Sequence, residues 1–257
     1  MTVRPLLAAR ALAVAIAGHR VCSGLDLAVA PGERWAILGR NGAGKTTLLH
    51  TLAGLRAPAA GAIEIDGRAL STLPRRELAR LRGVLPQDDS DAFPATVLET
   101  VLVGRHPHLS RWQWEGADDI RIAREALAAS DMGGTEARDV RTLSGGERRR
   151  VALAALLAQQ PRLFLLDEPS SHLDLSHQLA LLDRLTAAVR TDGRALVMAL
   201  HDVNLALRYC DQALLLCDGE ALAGPAQALL TAERLSALYG VPLRAVAGPR
   251  GAVFAPE

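Results

Sequence analysis

One stretch of the chain decides the fold. It reads Arg34-Trp35-Ala36-Ile37-Leu38-Gly39-Arg40-Asn41-Gly42-Ala43-Gly44-Lys45-Thr46-Thr47. Its first residues are mostly apolar and predict a strand, and the pattern that starts at Lys45 predicts a helix over residues 45–55. Between them stands a full match to G-x-x-x-x-G-K-[ST], the Gly-rich turn that joins a strand to a helix. Together with later alternating strands and helices, this predicts an α/β fold with a parallel sheet.

The Gly-rich turn has the chemistry of a phosphate site. Glycines let the chain curl so that successive N–H groups face one point, where the helix N-terminus adds the positive end of its dipole. We predict that Lys45 reaches the β- and γ-phosphates of ATP and that the Thr46 hydroxyl holds Mg²⁺. The predicted ATP-binding residues of this turn are Gly39, Arg40, Asn41, Gly42, Ala43, Gly44, Lys45, Thr46 and Thr47.

A second predicted strand supplies carboxylates. Residues 163–166 are apolar, and Asp167 and Glu168 follow them directly. Parallel sheets bind their ligands at the C-terminal ends of the strands, so Asp167 is predicted to hold the metal ion. Since one carboxylate is then committed to Mg²⁺, Glu168 is the candidate for polarising the attacking water.

A third motif separates this chain from other nucleotide hydrolases. It reads Leu143-Ser144-Gly145-Gly146-Glu147-Arg148 and precedes a predicted helix over residues 146–159. A serine and two glycines at a helix N-terminus form a second anion site. Because the chain already has one site for the γ-phosphate, we infer that this motif completes the site of another subunit in a homodimer. Its predicted ATP-binding residues are Ser144, Gly145, Gly146 and Glu147.

In these motifs and their order, the chain resembles the nucleotide-binding subunits of ATP-binding cassette (ABC) transporters over nearly its whole length. The resemblance implies that Gln87 contacts Mg²⁺ and the lytic water and that His201 reaches the γ-phosphate. It implies that residues 171–174 cross the dimer interface, where Asp174 joins the ATP site. The implied catalytic set is Glu168, His201 and Gln87, and the implied metal-binding set is Thr46, Gln87 and Asp167.

The resemblance also implies an architecture. We expect a P-loop NTPase core with a mostly parallel sheet, an N-terminal antiparallel β lobe and an inserted helical subdomain. Residues 1–257 would form a single ABC ATPase domain, with residues 1–87 and 142–257 in the nucleotide-binding core and β lobe. Residues 88–141 would be the helical insertion, since their helical patterns are joined by loops rich in Pro, Gly and Trp.

Parts of the chain resemble one group of ABC importers, those for iron–siderophore, haem and cobalamin. The resemblance implies a separate polytopic membrane permease, an indirect extracytoplasmic substrate-binding protein, and a peripheral place on the cytoplasmic face of the inner membrane. No apolar run approaches the roughly 20 residues that a membrane helix needs. Residues 11–17, which follow basic residues as in a signal peptide, are interpreted as a short first strand. The stretches that carry the group resemblance are 96–108, 174–178, 201–206 and 229–241.

Other functions are open to the same motifs. Another ABC importer, an exporter, a DNA-repair ABC ATPase or a small-molecule P-loop kinase shares some of them. The net charge is only +1, from 29 Lys and Arg against 28 Asp and Glu. Without a basic tract or heptad run, nucleic acid is not an expected partner. A kinase would leave residues 144–146 and His201 without a role, and nothing in the sequence identifies the cargo.

The adenine contact departs from the family pattern. The family usually places an aromatic residue shortly after the first strand to stack on the base, and Ile16 stands there in this chain. Stacking is worth about 1 kcal/mol, so base selectivity would be loose or supplied elsewhere. His19 and Arg20 are the candidate substitutes.

Two pairs of side chains between residues 106 and 114 are open to more than one interpretation. Trp112 and Trp114 are interpreted as residues that pin a long loop, with contact to a partner as the alternative. His106 and His108 could be metal ligands, but no Cys or carboxylate stands close to them in a ligand pattern. They are interpreted instead as part of a surface that faces the membrane subunit.

Overall fold

A computed structural model of the chain describes residues 4–87, 94–171, 173–248 and 251–257. The strands, in chain order, are β1 (Leu7–Ile16), β2 (His19–Val29), β3 (Arg34–Gly39), β4 (Ala60–Ile65), β5 (Arg68–Ala69), β6 (Arg82–Leu85), β7 (Leu163–Asp167), β8 (Ala195–Ala199), β9 (Gln212–Cys217), β10 (Glu220–Pro225), β11 (Leu243–Gly248) and β12 (Gly251–Pro256). The α-helices are α1 (Lys45–Leu52), α2 (Arg75–Leu81), α3 (Val97–Leu102), α4 (Ala117–Ala129), α5 (Gly145–Gln159), α6 (Leu175–Asp192), α7 (Val203–Tyr209), α8 (Ala226–Leu229) and α9 (Ala232–Tyr239).

The central sheet has the strand order β10-β9-β3-β8-β7-β6. Its strands are parallel except β10, which pairs antiparallel with β9. Every residue of β3, β7 and β8 is buried, which explains why these segments are almost continuously apolar rather than alternating. The predicted mostly parallel sheet is confirmed. The carboxyl ends of β3, β6, β7 and β8 meet at one edge of the sheet.

A second sheet has the order β2-β1-β4-β5 and is antiparallel throughout. It is the predicted β lobe, and its first strand includes the apolar stretch that resembled a signal peptide. β1 begins at Leu7, earlier than the strand expected from residue 11, and pairs with β2 on one side and β4 on the other. The inner face of the lobe packs with α1 against one side of the central sheet, in a cluster that includes Leu12, Val29 and Leu48.

The helices between β6 and β7 form a third packed unit. Its core joins Val97 and Val101 of α3 to Leu127 of α4 and to Val151 and Ala154 of α5. Because α5 closes this core, the helical unit is continuous with the nucleotide-binding part of the chain. The start of the predicted insertion, residues 88–93, lies outside the described residues. The division at 88 and 141 stays a prediction.

Several elements near the C-terminus were not predicted. β9 and β10 extend the central sheet, and the hairpin β11–β12 packs beside α7, where the Asn204 side chain bonds both the N–H and the carbonyl of Phe254. β9 is mostly buried and apolar, whereas β10, β11 and β12 are mostly exposed, so the hydrophobic pattern of these last three strands is weak. Within the described ranges, no helix is both long and apolar enough to cross a bilayer.

Candidate functional site: the edge of the sheet beside the Gly-rich turn

The turn between β3 and α1 has a backbone that its glycines make accessible. Gly42 and Gly44 have φ of 81° and 92°, in the left-handed region that side chains disfavour. A Cβ at Gly44 would also lie 2.5 Å from Cγ2 of Val21, so no larger residue fits without movement of the β lobe. The turn is therefore fixed both by its own conformation and by the packing of the lobe on it.

Lys45 begins α1 and is almost fully buried, with 6% of its surface exposed. Its Nζ donates to the carbonyls of Gly39 at 2.9 Å and Arg40 at 3.3 Å. Burial lowers the pKa of Lys45, and the charges of Glu168 and Asp167 oppose that shift. The ammonium thus lies inside the loop, within the field of two carboxylates at the end of β7, which is where an incoming phosphate would meet it.

Asp167 ends β7 and is fully buried. Neither carboxylate oxygen has a hydrogen-bond partner among the described residues. A buried carboxylate without hydrogen bonds is costly, because nothing replaces the hydrogen bonds that water made to it. Oxygen ligands of this kind are what Mg²⁺ prefers. The side chain therefore fits the predicted metal ion, which Thr46 and Gln87 would also hold and which would neutralise phosphate charge.

The side chains of the other two predicted catalytic residues both contact the carboxylate of Glu168. Nε2 of Gln87, just after β6, donates to Oε2 of Glu168 at 3.2 Å. Nε2 of His201, just after β8, makes a short contact with Oε1 of the same carboxylate. The strand order β8-β7-β6 brings these side chains together, although they are 81 and 33 residues away from Glu168 in sequence.

The motif at residues 144–147 forms the start of α5. Ser144 is the N-cap, and its Oγ accepts from the Glu147 N–H at 3.2 Å. The Glu147 carboxylate in turn accepts from the Ser144 N–H at 2.8 Å and from Arg138 Nη1 at 2.8 Å. The bond from the Ser144 N–H and then the Arg138 guanidinium lower the pKa of Glu147 to about 2. Ser144 and Gly145 are exposed, so this helix end faces outward.

Asp174 is also exposed and is not part of the cluster around Glu168. It caps the N-terminus of α6, accepting from the His177 N–H at 2.9 Å and from Ser176 Oγ at 2.8 Å. The bonds from the His177 N–H and side chain hold the pKa of Asp174 well below its usual range. His172, in the predicted interface loop, lies outside the described residues.

A cavity of about 400 Å³ opens beside the Gly-rich turn, on the side of the β lobe. Ile16, His19 and Arg20, the three candidates for contact with the base, all line it together with Arg40 and Asn41. Ile16 is 40% exposed. The cavity adjoins the predicted phosphate site, so its position fits the adenine and ribose end of a nucleotide.

The interpretation of Trp112 and Trp114 as loop pins is wrong. They are 87% and 86% exposed, and side chains with so little buried surface cannot hold a loop by packing. His106 Nε2 lies 3.3 Å from Oε1 of Glu115, a carboxylate that sequence spacing did not bring to notice. Across the part of the chain that the structure describes, no group of three or more His, Cys, Asp or Glu could hold a metal ion.

Sequence reasoning missed Arg149, whose side chain is 4% exposed and hydrogen-bonded beside Glu168. It stands within the run Arg148-Arg149-Arg150, which resembles a solvated face. A helical signal was nevertheless present. Arg149 shares one face of α5 with the buried Leu153 and Leu156, four and seven residues later.

Comparison with known proteins agrees with these features. The sequence profile of the family described as ABC transporter matches residues 22–171, more than half of the chain. The hemin import ATP-binding protein HmuV of Gloeobacter violaceus is 43% identical, over 95% of this chain and 91% of the relative. The cobalamin import ATP-binding protein BtuD of Halobacterium salinarum is 38% identical over 89% of this chain and 57% of the relative.

Solved structures agree as well. A metal-chelate type ABC transporter in an inward-facing conformation has a TM-score of 0.85 and 28% identity, covering 98% of each chain. A dimeric ATP-binding cassette in a post-hydrolysis state with ADP and Pi has a TM-score of 0.74 and 26% identity, over 86% of this chain and 98% of that one. The chain therefore belongs to the ABC transporter family and carries its ATP-hydrolysing domain.

Proposed function

We propose that the chain hydrolyses ATP with Mg²⁺ at two shared sites of a homodimer. One observation carries the proposal: the buried Lys45 ammonium, the unpartnered Asp167 carboxylate and the Glu168 cluster all lie at one edge of the sheet. Lys45 and the N–H groups of residues 39–47 bind the β- and γ-phosphates. Asp167, with Thr46 and Gln87, would hold Mg²⁺, which would supply positive charge to the phosphate oxygens.

Glu168 then acts on the attacking water. Its carboxylate is oriented by Gln87 on one oxygen and by His201 on the other. In the free chain these partners occupy the oxygens that a water would use, so we expect both side chains to turn toward the nucleotide when it binds. Gln87 would then help to hold the metal and orient the water, and His201 would reach the γ-phosphate. Glu168 accepts a proton from the water as the water oxygen bonds the γ-phosphorus and the bond to the β-phosphate oxygen of the leaving ADP breaks.

The second half of each site comes from the partner subunit. Ser144, Gly145 and Gly146 present an exposed helix N-terminus, and α5 is long enough, at 15 residues, to carry a full dipole. Within one chain, the hydrogen bonds described for Ser144 and Glu147 run to each other and to Arg138 and not to the Gly-rich turn. A nucleotide bound to the Gly-rich turn of one subunit would accept hydrogen bonds from this helix N-terminus of the other subunit. Asp174 would lie at the dimer interface.

The permease partner is proposed to dock in a groove between the helical unit and the core. The groove encloses about 420 Å³ and is lined mainly by apolar residues, among them Val84, Val103, Pro107 and Leu156. Val103 is 56% exposed. The groove starts beside Gln87, because Pro86 also lines it. A movement of Gln87 on nucleotide binding would shift the wall of the groove. A permease helix bound there would therefore respond to whether ATP is bound.

Docking of the permease can be tested by introducing one charged side chain into the groove. Val103→Glu should prevent co-purification with the permease, while ATP hydrolysis by the subunit alone stays within twofold of the parental rate. Leu222→Glu is the matched control, since Leu222 is similarly exposed, at 53%, on the distant strand β10. Normal co-purification of the Val103→Glu subunit would place the permease on another surface.

The proposed cargo is a metal chelate: an iron–siderophore, haem or cobalamin. Support comes from the hemin importer subunit that is 43% identical over 95% of this chain and from the metal-chelate transporter that has a TM-score of 0.85. In this role the chain is a peripheral subunit on the cytoplasmic face of the inner membrane. An extracytoplasmic binding protein delivers the cargo to the permease.

The cargo experiment measures uptake of isotope-labelled haem, ferric siderophore and cobalamin by cells that lack this chain. Uptake of one of the three should be lost, should return with the parental chain, and should not return with Glu168→Gln. Parental uptake of all three would overturn the cargo class without touching the ATPase assignment, which purified protein tests separately.

A further inference from the structure

Arg149 has a place in the structure that the proposed mechanism does not use. It is the fifth residue of α5, and 4% of its surface is exposed. An arginine stays charged in proteins and carries five N–H donors in a planar fork. A buried guanidinium must be hydrogen-bonded to be tolerated. Its partners therefore show which segments of the chain it holds together.

The guanidinium donates to main-chain carbonyls at the ends of two neighbouring strands. Nη1 donates to the carbonyls of Pro86 at 2.5 Å and Gln87 at 3.4 Å, just after β6. Nη2 donates to those of Asp167 at 2.9 Å and Glu168 at 3.0 Å, at the end of β7. Nε donates to Pro169 at 3.2 Å. One side chain of α5 thus fixes the spacing between the segments that carry the proposed metal ligands and the catalytic carboxylate.

The backbone of Glu168 needs such support. Its φ is 46°, in the left-handed region that residues other than glycine seldom adopt. A conformation of this kind persists only where the surroundings hold it. The Glu168 N–H donates to Ala199 at 3.1 Å, and its carbonyl accepts from Arg149 and from the N–H and Oγ of Ser171 at 3.0 and 2.9 Å. The Arg149 bond holds the carbonyl side of this residue.

We propose that Arg149 is a positioning residue that sets Glu168 for hydrolysis and links it to the exposed end of α5. The inference rests on the proposed role of Glu168. Ser144 lies five residues before Arg149, about 7.5 Å along the helix. When Ser144 meets the nucleotide of the partner subunit, any shift of α5 reaches the Glu168 of its own subunit through the guanidinium. The two sites of the dimer are coupled by this side chain.

The first test compares kinetic constants of the full chain. Arg149→Gln should lower kcat for ATP hydrolysis at least tenfold while KM for ATP changes less than threefold, because phosphate binding by Lys45 is untouched. Arg149→Lys should lie between it and the parental chain, since an ammonium reaches fewer carbonyls. Arg105→Gln is the control: Arg105 is 7% exposed and bonds Asp119 and a carbonyl of α5 far from Glu168. Its kcat should stay within twofold.

The second test is a double-mutant cycle, which a merely structural role would not pass. In a Glu168→Gln background, Arg149→Gln should change the residual rate less than twofold, because it acts through the carboxylate already removed. A full tenfold further loss there, a parental kcat in Arg149→Gln, or an equal loss in Arg105→Gln would overturn the proposal. If Arg149→Gln does not fold, a parental kcat in Arg149→Lys overturns it. A parental rate in Glu168→Gln alone would instead remove the role of Glu168, and this inference with it.

Discussion

The two halves of the proposed ATP site differ in how much of each the chain completes by itself. On one half, Lys45 and Asp167 are buried, with 6% and 0% exposed, and the Lys45 ammonium is bonded to carbonyls of its own loop. On the other half, Ser144 and Gly145 are exposed at the start of α5. The first half resembles an enzyme interior, and the second resembles an ordinary protein surface.

The two halves of the site therefore contribute differently to the stability of the fold and to function. The exposed half is already satisfied as a helix cap, because Ser144 and Glu147 bond each other reciprocally. This helix end can therefore stay exposed to solvent before a partner subunit binds, without lowering the stability of the fold. The buried half carries an unpartnered carboxylate at Asp167, which a metal ion would stabilise. Changes in the buried half should affect chemistry, and changes in the exposed half should affect assembly.

The largest effect is expected from the buried half. Glu168→Gln should lower kcat by about 10²–10⁴, the usual contribution of a positioned general base. ATP affinity should stay within threefold, because Lys45 and Asp167 are unchanged, and the trapped ATP should hold the dimer on size-exclusion chromatography. Asp131→Asn, which breaks an exposed ion pair with Arg184, is the control and should keep the parental rate. Parental hydrolysis by Glu168→Gln would remove the assignment.

A second effect should appear in the exposed half and only in assembly. Ser144→Arg should leave ATP binding by the monomer within threefold but abolish ATP-driven dimerisation, and hydrolysis should fall at least thirtyfold. Thr231→Arg is the matched control, since Thr231 is an exposed N-cap on α9. It should dimerise normally. Equal loss in both variants would mean that only helix capping matters.

An experiment that mixes two variants tests the same comparison between the buried and exposed halves of the site. In a heterodimer of Ser144→Arg with Lys45→Ala, one site carries both lesions and the other carries neither. The mixture should therefore regain hydrolysis that neither variant shows alone, in proportion to the heterodimers formed. A mixture as inactive as its components would show that the two motifs serve the same nucleotide within one chain.

The smallest effect concerns the cap itself. Glu147→Gln keeps an acceptor for the Ser144 N–H but loses the charge beside Arg138 and the helix dipole, so unfolding free energy at pH 7 should fall by about 0.5 kcal/mol. Folding lowers the pKa of Glu147 from 4.5 to about 2. Its contribution is thus complete above pH 4.5 and lost as pH falls toward 2. Urea unfolding of both chains across this range should converge, and a constant difference would contradict the assignment.

The sequence by itself determined the parts whose chemistry lies in contiguous residues. The turn at residues 39–47, the carboxylates after β7 and the cap at residues 144–147 each need a fixed local spacing, so they could be predicted before any contact was known. The parallel sheet followed from the alternation of apolar strands and helices. Even the proposal of a shared site came from counting two anion sites in one chain.

Only the tertiary structure decided which distant groups meet. The contact of Gln87 and His201 with Glu168 depends on the strand order β8-β7-β6, which hydrophobic patterns do not encode. The burial of Arg149 depends on how α5 packs against two strand ends. The exposure of Trp112 depends on how its loop packs against the rest of the chain. Local spacing fixes what a motif can bind. The packing of whole elements fixes what lies beside it, because those contacts join residues that the chain keeps far apart.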